Sequence, residues 1–280
     1  MNLKQKTITI LKIIAKFILL ILIWSGGIAI LDSFTEPIES LQKPISSFLF
    51  EFLPFLFILL PSILLWKYVD KEKISELGFK TVKFFKNNMV GFIIGFLWIS
   101  LSILGVYVTC TVTSNFNLKI GIGLLAIYFV ILLINTIMQE TLCRGYLYKL
   151  IEKPFRGNYA VLFTSIFFVL LHPGAIAAGI VGIVNVFCAG LVFGFTRKIT
   201  GSLWMPIAIH ITWNFIDSVL LGTSPLGLYP HLDLILVEGK DLYTGGKDGL
   251  GASLVVIFTF PFMFLIFYYD VFRIKNNNKI

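Results

Sequence analysis

Long runs of apolar residues, separated by short polar stretches, dominate the pattern of this 280-residue chain. Several runs reach the roughly 20 residues that a helix needs to cross a hydrocarbon core of about 30 Å. The alternating pattern of a membrane β-barrel is absent, so the runs predict helices. We place eight spans, at about 12–32, 47–69, 89–112, 121–147, 158–172, 175–196, 202–221 and 252–272.

Composition supports the same class of protein. Hydrophobic residues make up 57% of the chain, and mean hydropathy is +0.90. Charged residues make up 14%, whereas soluble domains carry about 25%. We therefore predict an all-α integral membrane protein.

The spans divide the chain into four regions. Three helices fill residues 1–119, and a core of four helices fills 120–221. An extracytoplasmic loop follows at 222–251, and the last helix and tail occupy 252–280.

Basic residues give the orientation. The net charge is +8, and the loops that are cytoplasmic if the N-terminus is inside hold 18 Lys and Arg, against 4 outside. This asymmetry predicts that both termini are cytoplasmic. Because the cations lie in short loops, we expect no nucleic-acid partner. Richness in Lys, Asn, Ile and Phe suggests a bacterial chain, and we expect it in the plasma membrane.

Polar residues interrupt the second half of the chain where lipid is expected. Ionisable groups inside spans are costly and usually serve a site. The fourth span contains "IMQETLCRG", the fifth ends in "FVLLH" and the seventh contains "HITWN". The candidate site residues in these stretches are Gln139, Glu140, Arg144, His172, His210 and Asn214.

Helical spacing brings these residues to similar depth. Glu140/Arg144, Phe168/His172 and His210/Asn214 are i,i+4 pairs, each on one helix face. With a rise of about 1.5 Å per residue, Glu140 and His210 lie about 13 Å from the inner boundary. His172 and Asn214 lie about 20 Å in by the same rise. The sequence therefore predicts a polar intramembrane cavity formed by the fourth, fifth and seventh helices.

Hydrolysis of an amide is the chemistry that fits this set. A carboxylate and an imidazole can activate water, and a second imidazole with an amide can stabilise an oxyanion. Two His and one Glu could instead hold Zn²⁺, but no HExxH motif is present. We predict a site without a cofactor, with zinc as the alternative.

Three polar residues have plainer interpretations. Arg144 either extends to the headgroups or pairs with Glu140. Asn185 is expected to make an interhelical hydrogen bond. Asp217 lies nearer the outer surface, where a solvated charge is one interpretation.

The three motifs resemble those of the CAAX-protease and bacteriocin-processing family of intramembrane proteases. That family's signature is E-E-x-x-x-R, F-x-x-x-H and H-x-x-x-N/D on three core helices. The counterparts here are Gln139-Glu140 to Arg144, Phe168 to His172, and His210 to Asn214, within residues 120–220. The first three spans carry no signature.

The resemblance implies a conical cavity open toward the cytoplasm or the bilayer. In it, a glutamate and His172 would activate water, His210 and Asn214 would bind the oxyanion, and Arg144 would hold the first motif. One position departs from the family, because Gln139 occupies the place of the presumed base. Glu140 rotates in as the base, or the protein has lost hydrolysis, or Gln139 is an introduced substitution.

The predicted function is that of an intramembrane peptidase acting on a membrane-associated or small peptide. The alternative is a catalytically silent member that binds a peptide or partner protein, such as a bacteriocin-immunity scaffold. The oligomeric state is not predicted.

Overall fold

The computed structural model describes residues 3–80, 82–114, 121–223, 232 and 234–265. Helices make up most of this part of the chain. In chain order they are α1 (Leu3–Asp32), α2 (Thr35–Glu39), α3 (Ile45–Val69), α4 (Phe84–Thr109), α5 (Ile122–Glu152), α6 (Gly157–Leu170), α7 (Pro173–Ala177), α8 (Ile180–Thr200), α9 (Trp204–Asn214, continued by the π-helical segment Phe215–Leu221), α10 (Asp241–Thr244) and α11 (Leu254–Leu265). Short 3₁₀ turns lie at Ile74–Leu77, Gly246–Asp248 and Leu250–Ala252.

Five helices in the described residues are long and apolar enough to cross a membrane. They are Thr7–Asp32 of α1, and α3, α4, α5 and α8, and the apolar helices α6 and α11 are shorter. These helices support the predicted multi-pass, helical membrane protein. The count of eight spans and the N-in orientation stay predictions, and residues 266–272 of the last predicted span lie outside the described residues.

Two details differ from the predicted layout. The sixth predicted span, 175–196, divides into α7 and α8, because the chain turns at Gly179, whose φ of 88° favours glycine. A two-stranded antiparallel sheet also forms, in which β1 (Thr111–Ser114) pairs with β2 (Ile235–Glu238). The segment after α9 is thereby tied to the end of α4.

Large apolar side chains cover the outside of the helices. Leu22 is 62% exposed, Phe96 58% and Val108 76%. Such surface is unfavourable in water and is the expected lining of a lipid-facing belt. Inside, polar contacts join helices, as where Trp98 Nε1 donates to Thr259 Oγ1 at 2.9 Å.

Glycines allow the closest helix contacts. A Cβ added at Gly95 would lie 2.8 Å from Thr212 Cβ, so α4 and α9 touch backbone to backbone there. A Cβ at Gly190 would lie 3.0 Å from the Cα and Cβ of Ser165 on α6. Gly91 and Gly95 therefore pack α4 closely against α9, and Gly190 and Gly194 pack α8 closely against α6.

Candidate active site

A cavity of about 360 Å³ lies among the three motif helices. Motif side chains from all three helices line it, namely Gln139, Phe168, His172, His210 and Asn214. The wall is broader than predicted, because α3, α4, α8, α11 and the segment before α11 contribute as well. Their lining residues include Glu51, Trp98, Asn185, Phe193, Asp248, Gly251, Ala252, Val256 and Phe260.

Glu140 lies behind the cavity wall. Its side chain is fully buried, and its Oε1 accepts from Arg144 Nη1 at 3.3 Å and from His210 Nδ1 at 3.0 Å. Consecutive helical residues point about 100° apart, so Gln139 faces the cavity while Glu140 faces the interior. The resemblance implies that a glutamate and His172 together activate water. In the structure Glu140 instead contacts the other motif histidine, His210.

Arg144 is the centre of the buried charge cluster. It is 0% exposed, which rules out the interpretation that it extends to the headgroups and favours pairing with Glu140. Its Nη2 donates to the Gly190 carbonyl at 3.0 Å, and its guanidinium lies 4.2 Å from the Phe168 ring centre. The ring face and the carbonyl stabilise a cation that is out of contact with solvent.

The two motif histidines have fixed tautomers. His172 Nδ1 lies 2.7 Å from the Phe168 carbonyl, which can only accept, so Nδ1 carries the proton and Nε2 the lone pair. His210 stacks on Phe193, with ring centres 4.9 Å apart, and directs Nδ1 at Glu140. His172 can therefore accept a proton at Nε2, and Glu140 can stabilise a protonated His210.

Gln139 belongs to a chain of hydrogen bonds that leads to another helix. Gln139 Nε2 donates to Asn135 Oδ1 at 2.7 Å, and Asn135 Nδ2 donates to Glu51 Oε2 on α3. Gln139 Oε1 is buried with no hydrogen-bond partner among the described residues. Gln139, at the position of the resembled family's presumed base, is therefore connected through the Asn135 amide to the Glu51 carboxylate.

The other polar residues take different places. Asn185 Nδ2 donates to the carbonyls of Gly251 and Ser253 at 3.1 and 2.9 Å, so the expected interhelical hydrogen bond instead joins α8 to the turn that precedes α11. Asp217 lines the cavity and is 1% exposed, so the interpretation as a solvated charge is wrong. The chain turns back after α9, and the Thr223 hydroxyl therefore donates to Asp217 Oδ1.

One end of the cavity faces the connections between helices. The turn from His172 to Ala175 and the residues Asp248 and Gly251 line it there. These segments follow the ends of α6 and α9 that are opposite the basic stretch 149–156. In the predicted orientation that end is extracytoplasmic, and the opening toward the cytoplasm or the bilayer that the resemblance implies stays a prediction.

Two ionisable residues near the site, Glu51 and Arg197, do not belong to the three motifs. Glu51 is an ionisable residue inside the second predicted span, and that signal alone could have singled it out. Arg197 is one of the 18 cations that the sequence assigns to cytoplasmic loops, yet it is 2% exposed and its Nε donates to the Arg144 carbonyl at 2.9 Å. No sequence signal predicts that contact, because it depends on the crossing of α5 and α8.

The zinc alternative is not supported by any metal-binding cluster in the described part of the chain. There, no three His, Cys, Asp or Glu side chains are grouped so that they could hold a metal ion. His172 and His210 line one cavity, but Glu140 Oε1 is engaged by Arg144.

A comparison with family models identifies the region that carries the motifs. Residues 121–216 match the family described as Type II CAAX prenyl endopeptidase Rce1-like. All three motifs fall within this range, which confirms the resemblance for about a third of the chain. No curated protein matches the chain, and no solved structure matches it either.

Proposed function

We propose that the protein is an intramembrane peptidase that hydrolyses a peptide bond in the cavity between α5, α6 and α9. One observation carries the proposal: His172 of the second motif and His210 and Asn214 of the third line the same cavity beside the buried Glu140–Arg144 pair of the first. The substrate is a membrane-associated or small peptide, and the protein resides in a bacterial plasma membrane with eight spans and both termini inside.

The histidine tautomers support a division of roles. His172 Nε2 holds the lone pair, so it accepts a hydrogen from the attacking water, together with a carboxylate. A protonated His210 keeps one N–H on Glu140 and directs the other at the oxyanion. The Asn214 amide adds the second donor.

Arg144 holds Glu140 in place in this scheme. Its cation offsets the Glu140 carboxylate, so protonation of His210 leaves the cluster with one net positive charge. That charge stabilises the developing oxyanion, and the rings of Phe168 and Phe193 keep water away from it.

The test is cleavage by purified protein in proteoliposomes. The probes are a fluorogenic prenylated peptide ending in a CAAX sequence and a library of membrane peptides read by mass spectrometry. We expect cleavage by wild type, and loss of kcat by at least about 10²-fold in His172→Ala and in His210→Ala. Asn88→Ala serves as the matched control, because among the described residues the Asn88 side chain donates to the Phe84 carbonyl of its own helix turn.

Two outcomes count against the proposal. If the two histidine variants were as active as wild type, the reaction would not take place in this cavity. Absence of cleavage in every version, with peptide binding retained, would favour the silent scaffold that binds a peptide or partner protein.

A further inference from the structure

Glu51 is a carboxylate that the motifs do not account for. It lies two turns into α3, half-buried, and lines the same cavity as Gln139, His172 and His210. A carboxylate in a helix that can span the bilayer is costly and calls for a role. The structure gives it a position on the cavity wall, which Glu140 does not have.

The connection to Gln139 has a direction. Each amide in the chain donates its NH₂ toward α3, from Gln139 to Asn135 and from Asn135 to Glu51. The chain ends on the carboxylate because a carboxylate accepts only. Two hydrogen bonds of about 3 Å and one amide group separate Glu51 from the Gln139 nitrogen, so the carboxylate lies within about 8 Å of it.

The helix arrangement explains why the two positions meet. Pro44, Ile45 and Phe48 line an apolar groove together with Ala126 and other residues of α5. Thus α3 and α5 run side by side in the same direction. One turn after Phe48, Glu51 reaches Asn135, and one turn after Asn135 is Gln139.

Three other carboxylates, on the cavity wall or behind it, have different partners. Asp217 is bonded to Thr223 just past the end of α9, and Asp248 belongs to a 3₁₀ turn before α11. Glu140 is held by Arg144 and His210. Glu51 is the carboxylate that Asn135 links to position 139, where the resembled family carries its base.

We infer that Glu51 is the general base that Gln139 cannot be, an assignment that rests on the proposed peptidase function. A water in the cavity donates one hydrogen to Glu51 and the other to His172 Nε2. As the water oxygen bonds to the peptide carbon, its proton passes to Glu51, and the C=O electron pair moves to the oxygen held by His210 and Asn214. When that pair returns, the C–N bond breaks and Glu51 gives its proton to the leaving nitrogen.

A swap of the two side chains tests the assignment. Glu51→Gln alone removes the carboxylate, and Glu51→Gln with Gln139→Glu moves it to position 139. The Asn135 amide can turn over and keep both hydrogen bonds, so the swap conserves charge and composition. Glu39→Gln, on the exposed surface of α2, is the control for loss of one carboxylate.

The readouts are kcat and KM for the prenylated CAAX peptide in proteoliposomes, with thermal unfolding to check each fold. We expect Glu51→Gln to lower kcat by about 10²–10⁴-fold with little change in KM. The swap variant should recover most of that loss, and Glu39→Gln should match wild type.

Each contrary outcome identifies what has failed. Full activity of Glu51→Gln overturns the assignment and leaves the peptidase standing. A folded but inactive swap variant overturns it too, since a carboxylate beside Asn135 would then not suffice. The single variant Gln139→Glu is measured alongside. If it cleaves the peptide and wild type does not, the cavity is hydrolytic but Glu51 is not the base. No cleavage by any variant overturns the proposed function itself.

Discussion

Replacing Glu140 by Gln tests the buried charge cluster, because it removes one charge and almost no volume. Glu140 and Arg144 are both 0% exposed, so the substitution leaves the Arg144 cation uncompensated. Breaking a buried pair in this way costs about 3–5 kcal/mol. The contacts of Arg144 with the rings of Phe168 and Phe193 are present before and after the substitution, so they do not change this figure. We therefore expect the free energy of unfolding to fall by about 3–5 kcal/mol.

The same helix supplies the matched control. Lys149 and Glu152 form a pair at 2.7 Å whose side chains are 20% and 34% exposed, so Glu152→Gln should cost about 0–1 kcal/mol. Equilibrium unfolding of the purified protein, from lipid–detergent micelles by SDS titration, measures both variants. A loss for Glu140→Gln no larger than that for Glu152→Gln would refute the claim that this pair is a buried structural charge.

Three further predictions concern packing, access and metal. Gly190→Ala should lower the unfolding midpoint, because its Cβ would meet Ser165, whereas Gly26→Ala, with nothing within 4 Å, should not; equal midpoints would contradict the tight α6–α8 contact. In a cysteine-free background in intact cells, Ala178→Cys should react with a membrane-impermeant thiol reagent and Lys153→Cys should not; the reverse result would invert the orientation. Peptide cleavage should continue after exhaustive treatment with a chelator, and its loss, restored by Zn²⁺, would support the metal alternative.

The sequence predicted the class and the meeting of the motifs because both depend on local patterns. Apolar run length reflects bilayer thickness, and i,i+4 spacing places His210 and Asn214 on one helix face. Counting depth at a fixed rise per residue placed the polar residues of the three motif helices at similar depth in the bilayer. The cavity lined by His172, His210 and Asn214 agrees with that reasoning.

Contacts between distant segments were not predictable in this way. Glu51 and Asn135 are 84 residues apart in the chain, and only the parallel packing of α3 on α5 brings them together. The burial of Asp217 likewise depends on how Thr223 turns back after α9. The direction of Glu140 was foreseeable from helix geometry, but its choice of His210 over His172 depends on how closely α5 and α9 approach.

Cleavage in H₂¹⁸O tests the central claim most directly. Mass spectrometry of the prenylated CAAX peptide, incubated with wild type in proteoliposomes, should show one ¹⁸O in the new carboxyl terminus. The labelled product should fall at least about 10²-fold in His172→Ala. Labelled product that forms equally fast in His172→Ala, or no product with any variant, would contradict a peptidase built from this cavity.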